Sequence, residues 1–213
     1  MSIKKLVDSV ITEAPLPSDW DSDIYSTRVP FKTRVEYAKA RAQQAGRGSS
    51  RVVFKIPYQG RDTALKIALN RKGQAQNDAE TKLMEDWYIR NIGLVVPLID
   101  YDEKSPTPTW VHTEFAKRAT PSDLKRALAG ADIYDVVNNI IDQFSPRKYR
   151  VNAKLSDATM ETDLYANLQD LAGNFGTTLI QDLRRAANWG MYRGKPVIID
   201  LGYTDDTKHL YGG

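Results

Sequence analysis

The 213-residue chain has no cysteine. Disulfides, thiolate zinc sites, iron–sulfur clusters and a cysteine nucleophile are excluded with it. Histidine is almost as scarce: His112 and His209 are the 2 present, far apart in sequence. A histidine-rich metal site is poorly supported, as is a Ser-His-Asp hydrolase that would need one of them as its base. No stretch approaches the ~20 apolar residues that span a bilayer, so no membrane partner is expected. The opening MSIKKLVDSVITEAPLPSDWD turns acidic before any long apolar run, unlike a signal peptide, and a cytoplasmic protein is expected. There is no internal repeat and no low-complexity tract. A net charge of +3 is well short of a protein that coats nucleic acid.

What is present suffices for a core: 41% of residues are hydrophobic, enough for one large domain or two small lobes. Helical spacing is read over Ile3–Thr12 and again over Pro30–Ala45, the second stopped at Gly46. The period then changes. Arg51–Ile56 and Thr63–Leu69 read as strands around a Pro57–Asp62 turn, an antiparallel hairpin. Gln76–Arg90 returns to helix, with Ala79, Leu83, Met84 and Trp87 on a shared face. Val95–Asp100 and Thr109–Phe115 read as two more strands. From Pro121 onward the pattern is mainly helical, with Ser122 or Asp123 capping one helix and Asp132 another. Ser145–Leu155 reads as a basic loop. The stripe Leu164, Leu168, Leu171, Phe175 and Leu179 is interrupted by Gly173 and Gly176. Val197–Ile199 is a short buried strand that delivers Asp200.

Four features carry chemistry. Lys66 shares a strand face with Ala64 and Ala68, which leaves room for a flat ligand whose charged end meets the amine. An edge-strand lysine in water is the competing reading. Glu80 borders the apolar face of its helix, where a carboxylate needs a partner, and Lys66 is the nearest candidate. A half-exposed helix glutamate would look the same. Gly46, Gly48 and Ser49 precede the first strand, where glycines let backbone N–H groups approach phosphate. A flexible loop would also carry them. Asn188 and Asp200 end adjoining strands, and an amide with a carboxylate can hold Mg2+, which prefers oxygen ligands. A turn asparagine and a strand-end aspartate are the plainer account.

Taken in order, these parts resemble the protein-kinase superfamily in its small atypical branch, over roughly residues 46–203. "GRGSSRVVFKI" looks like the glycine-rich loop, "TALKIAL" like the strand of the phosphate-binding lysine, and "AQNDAETKLM" like the helix whose Glu pairs with it. "WVHTEFA" resembles the gatekeeper strand and hinge. There Thr113 stands as gatekeeper, and Glu114, Phe115 and Ala116 offer backbone groups to adenine. "DLRRAANWGMYRGKPVIIDLG" resembles a catalytic loop followed by the metal-binding segment Asp200-Leu201-Gly202. The combination is most similar to kinase-like proteins of bacteriophages.

The resemblance implies an α+β, two-lobed protein-kinase-like fold. A small antiparallel sheet with one helix would be followed by a truncated, mainly helical C-lobe. Residues 1–45 would be a helical extension, 46–116 the N-lobe and 117–213 the C-lobe with its catalytic and metal-binding loops. It implies ATP and Mg2+ as cofactors. Lys66 would bind the α/β phosphates, Glu80 would orient it, Asn188 and Asp200 would hold metal, and Asp182 would be the catalytic base. Departures are visible. Arg51 replaces the third glycine, no His-Arg precedes Asp182, the spacing from Asp182 to Asn188 is one residue longer than usual, and Leu201 stands for phenylalanine. No activation segment follows Gly202.

Three functions follow. The first is an ATP-dependent phosphotransferase, phage-encoded, with an unassigned acceptor. The second is a pseudokinase module that binds a host or phage protein. The third is a nucleic-acid-binding protein using "SPRKYRVNAKL" and "DLRRAANWGMYRGK". It ranks last, because a solvated face explains both runs.

Overall fold

The computed structural model describes residues 16–17, 20–26, 28–144, 154–202, 204 and 207–211. The helix expected over Ile3–Thr12 lies outside these residues, as does most of the basic loop expected over Ser145–Leu155.

The arrangement is α+β and two-lobed. Five antiparallel strands form the first lobe in the order β1-β2-β3-β5-β4: β1 Gln43–Arg47, β2 Arg51–Tyr58, β3 Arg61–Ala68, β4 Leu98–Tyr101 and β5 Trp110–Glu114. Tyr58 pairs with Arg61 across Gln59 and Gly60. Both turn residues have positive φ, 50° and 75°. That backbone matches the twist of a tight hairpin, and glycine adopts it without a Cβ clash.

Register decides what each sheet face does. Arg51 pairs with Ala68, Val53 with Lys66 and Lys55 with Ala64. Lys66 in turn pairs with Val111, and Ala64 with Thr113. These side chains share the inner face, because residues alternate along a strand and paired residues point the same way. The outer face carries Val52, Phe54, Ile56, Leu65, Ile67 and Trp110, all buried. They are covered by Leu16, Tyr25 and helix α1, Phe31–Lys39, through Val35 and Ala38. The described part of the N-terminal region thus completes a core on the side of the sheet away from the site.

Helix α2, Arg71–Glu85, lies against the inner face. Asn70 caps it, its side chain accepting from the N–H of Gly73 at 3.0 Å. The chain breaks at Asp86, which then caps the short α3, Trp87–Ile92, by accepting from the N–H groups of Tyr88 and Ile89.

The second lobe is helical: α4 Pro121–Ala127, α5 Ile133–Phe144, α6 Asp157–Met160, α7 Asp163–Phe175 and α8 Thr177–Gln181. Three short strands join it to the first lobe: β6 Lys117–Arg118, β7 Trp189–Tyr192 and β8 Lys195–Ile198, paired antiparallel in that order. Ile198 donates its N–H to the carbonyl of Leu94 at 2.7 Å, stitching β8 to the segment before β4. Val136, Val137, Ile140, Leu168, Leu171, Ile180 and Trp189 form the core of this lobe.

Several boundaries differ from expectation, each for a local reason. The helix read as far as Ala45 ends at Lys39, because Gln43–Arg47 pairs with β2 and a strand ladder overrides helix propensity. Helix α2 starts at Arg71, five residues before the sequence pattern suggested, because the Asn70 cap precedes a polar first turn. Trp87, placed on a shared face with Met84, is instead 75% exposed: the break at Asp86 turns it away. Thr120, rather than Ser122 or Asp123, caps α4, with Asp123 reciprocating in a capping box. Gly176, with φ 83°, separates α7 from α8, whereas Gly173 lies within α7.

Candidate active site

Four charged side chains meet between the inner face of the sheet, α2 and the end of β8. Lys66 is 4% exposed rather than surrounded by open space. Its Nζ donates to Glu80 Oε1, and to the carbonyl of Ile199 at 3.0 Å. Glu80 is fully buried, and its other oxygen accepts from Nη1 of Arg51. Nη2 of Arg51 donates to Asp200 Oδ1, and Nη1 also reaches Asn77 Oδ1 at 3.3 Å. Burial by itself would push the Glu80 carboxyl up. The charges of Lys66 and Arg51 and their hydrogen bonds outweigh that together and hold it below its ordinary value.

The segment ending in Asp200 is fixed from two sides. Ile199 donates its N–H to the carbonyl of Asn188 at 2.8 Å. Asp200 Oδ1 also accepts from the N–H of Gly202 at 3.3 Å. A Cβ on Gly202 would lie 2.9 Å from Gln76 Cβ, so only glycine lets this turn press against α2. The buried Thr207 closes the turn by donating its hydroxyl to the Gly202 carbonyl at 2.7 Å.

Asn188 and Asp182 form a second pair. The Asn188 Nδ2 donates to the Asp182 carbonyl at 2.9 Å and to Asp182 Oδ2 at 2.7 Å. Asp182 opens a 3-10 turn directly after α8, on the tail of the preceding helix. The longer spacing to Asn188 is taken up by two successive short 3-10 turns, Asp182–Arg184 and Ala186–Asn188. Asp182 Oδ1 is 3.4 Å from Nη1 of Arg185, an arginine whose side chain is 76% exposed.

The glycine-rich segment spans the end of β1 and its turn into β2. Gly46 lies in β1 at an irregular register, and the N–H of Gly48 donates to the Arg51 carbonyl at 2.8 Å. Gly48 and Ser49 are exposed at the tip. Behind them, Ser50 is clamped to α2: its hydroxyl donates to Gln76, and its carbonyl accepts from the N–H of Leu69 at 2.7 Å.

Thr113 is buried on the inner face beside Ala64, and its hydroxyl donates to the Glu114 carbonyl at 3.1 Å. The Glu114 carboxylate pairs with Arg61 at 2.6 Å, and its N–H donates to the Pro97 carbonyl at 3.0 Å. Phe115 lies under the Lys55 ammonium, 5.4 Å from ring centroid to Nζ. Ala116 packs on Gly190, where a Cβ would lie 2.7 Å from Ala116 Cβ.

Lys66, Glu80 and Asp200 are thus brought into one hydrogen-bonded network, and Asn188 joins it through Ile199. Asp182 is attached through Asn188. Arg51 and Asn77 sit at the centre of the network, although by motif Arg51 stands only in place of a glycine. The available signal was alternation: Arg51 lies two residues before Val53, which faces Lys66.

Among the described residues no cluster of three acidic, histidine or cysteine side chains could hold a metal ion alone. Asp200 and the Oδ1 of Asn188 are oxygen donors suited to Mg2+, but two donors leave most of an octahedral shell to phosphate and water.

The class defined here is an α+β, two-lobed fold with a buried lysine–glutamate pair between the sheet and helix α2. No protein-family profile and no curated protein matches the chain. Among solved structures it is similar to a thermostable mutant of aminoglycoside phosphotransferase APH(4)-Ia in its apo form. That match has 12% identity and a TM-score of 0.35, covering 76% of this chain and 67% of the other. A ternary complex of that phosphotransferase with ADP and hygromycin B matches at 14% identity and a TM-score of 0.36, covering 81% and 70%. Overlap at this level is one of outline, and the chemistry of the site stands on its own side chains. Among the described residues no helix is long and apolar enough to cross a membrane.

Proposed function

We propose that the chain binds ATP between its lobes and acts as a kinase-like phosphotransferase on a hydroxyl-bearing acceptor. The observation that carries this reading is the single network joining Lys66, Glu80 and the segment leading to Asp200, with Asp182 held by Asn188. Bound MgATP supplies the phosphoryl group and a metal charge that offsets its oxygens. The chain's own residues do the rest. Glu80 keeps Lys66 charged and aimed, so the amine meets the phosphates with little reorganisation. Ala64 leaves a flat surface on the inner face, Gly46, Gly48 and Ser49 form the phosphate-facing loop, and Thr113 to Ala116 flank the adenine. Asn188 and Asp200 would hold Mg2+. Asp182 takes the acceptor's proton on Oδ1, where the exposed Arg185 side chain lies 3.4 Å away and can swing aside, while Oδ2 is engaged by Asn188.

A second reading is supported by one observation: the carboxylate assigned to metal is ion-paired with Arg51. On that account the chain is a pseudokinase that works by binding another protein. The partner would then be a host or phage protein and the chain phage-encoded, as the sequence resemblance to bacteriophage kinase-like proteins implies.

Thermal shift with ATP and Mg2+ on wild type, Lys66→Ala and Asp182→Asn separates the readings. A ligand bound only by the folded state raises stability as RT ln(1 + [L]/Kd). A phosphotransferase shows a shift that Lys66→Ala abolishes and Asp182→Asn retains, with labelled phosphate transferred by wild type and not by Asp182→Asn. A shift without transfer to any acceptor in a panel of sugars, aminoglycosides and proteins favours the pseudokinase. No shift at millimolar ATP refutes the phosphotransferase and points to a chain that works through its surface.

A further inference from the structure

The residue at the centre of the network stands where the glycine-rich motif has its third glycine. Arg51 is 7% exposed and reaches three acceptors on two separate segments: Asn77 and Glu80 on α2, and Asp200 after β8. A planar guanidinium suits such a bridge, since its donors are fixed in a fork. The backbone leading into it is held as well. Ser50 is bonded through its carbonyl to Leu69 and through its hydroxyl to Gln76. Gly73 lies so close that a Cβ there would be 2.0 Å from the Ser50 oxygen. Arg51 therefore enters the site from a clamped stem, unlike the exposed tip residues Gly48 and Ser49.

The charges give this position a consequence. Lys66 and Arg51 balance Glu80 and Asp200, so the four groups sum to zero. Without Arg51 the set would carry one uncompensated negative charge, on Asp200, facing a polyanionic ligand. A divalent ion would then be needed to bring the two together. With Arg51 in place that charge is already met by a cation the chain supplies itself.

We propose that Arg51 is the resident cation of the nucleotide site, balancing Asp200 while no divalent ion is bound there, so that ATP binding depends little on metal and Mg2+ serves transfer rather than affinity. The inference rests on the nucleotide-site reading above. Mg2+ and Arg51 then compete for the same carboxylate, and nucleotide-free protein binds divalent ions poorly.

Calorimetric titration of the full chain with ATP, in excess Mg2+ and in EDTA, tests this directly, alongside titration with Mn2+ alone followed by the EPR signal of free Mn2+. For wild type the two ATP dissociation constants are expected to agree within about 3-fold, and Mn2+ alone to bind weakly. Loss of a charge-assisted contact is worth about tenfold or more, so Arg51→Ala should weaken ATP in EDTA by at least that factor. The same variant should lose less ATP affinity in Mg2+ than in EDTA, and should bind Mn2+ more tightly than wild type. Arg51→Lys, which keeps the charge, should lie nearer wild type than Arg51→Ala. The wild-type ratio needs no variant, so an Arg51→Ala protein that fails to fold leaves the test standing. If wild type itself loses tenfold or more in EDTA, the Arg51 proposal fails while the nucleotide site survives. If ATP binds under neither condition, both fall.

Discussion

Glu80→Gln isolates the charge that organises the site. Glutamine nearly preserves volume, so packing changes little, but two cations lose their shared carboxylate. Water cannot take its place, because the Lys66 and Arg51 side chains are only 5% and 8% exposed. Breaking a buried pair by removing one partner costs about 3–5 kcal/mol. Here Lys66 keeps the Ile199 carbonyl and Arg51 keeps Asp200, which places the expected loss at the low end, about 3 kcal/mol. The pH dependence has a definite sign. The folded carboxyl sits below its ordinary value of 4.5, so its contribution to stability is fully present above that pH. It is lost as pH falls below 4.5 toward the depressed folded value. Urea unfolding followed by tryptophan fluorescence, from neutral pH down to about pH 3, reads both effects. Wild type should lose stability in that acid window, and Glu80→Gln should show a shallower slope from a lower starting point. A loss under about 1 kcal/mol at neutral pH, the value of an exposed ion pair, would refute the reasoning. So would an acid slope unchanged from wild type.

Two further substitutions probe the supports of the site. Gly73→Ala gains about 1 kcal/mol of helix propensity, yet its Cβ would meet the Ser50 oxygen at 2.0 Å and Ala68 Cα at 3.1 Å. A net loss of about 1–3 kcal/mol in urea unfolding is expected from this overpacking, and a net gain would mean that the β2 stem moves freely. Thr120→Ala removes the hydroxyl half of the capping box on α4, leaves the Thr120 N–H bond to the Asp123 carboxylate, and should cost about 1 kcal/mol in the same assay. Because α4 lies away from the network, the ATP-induced thermal shift should not change.

Much of the first lobe was legible because its strands obey a period of two on a sheet buried on both faces. Val52, Phe54 and Ile56 alternate with inner-face residues, and the Gln59-Gly60 turn carries its own backbone requirement. Helix α2 was legible in type but not in extent. Its first turn is polar and packs against backbone at Ser50, which leaves no apolar period to read. The Lys66–Glu80 pairing followed from the cost of burying either charge alone. Arg51 was missed for a related reason. Sequence reading assigns a role to a residue that fits a motif, whereas Arg51 acts through partners 26, 29 and 149 positions away. Nor could the early strand β1 be foreseen from residues such as Gln43 and Gln44, because it exists through its pairing with β2.

Helix α2 holds the site together by one polar stripe. Gly73, Gln76, Asn77 and Glu80 follow the i, i+3, i+4, i+7 spacing that lines up one face of a helix. From the first to the last they meet Ser50, then Ser50 and Gly202, then Arg51, then Arg51 and Lys66. The face that would ordinarily bury apolar side chains here instead contacts the loop stem, both cations and the turn after Asp200. Asn77 fixes the helix in turn by donating to the Pro108 carbonyl at 3.1 Å. Hydrogen bonds weaken steeply with distance and angle, unlike area-proportional apolar burial. A shift of α2 by even part of a turn would therefore release Lys66, Arg51 and the Asp200 turn together.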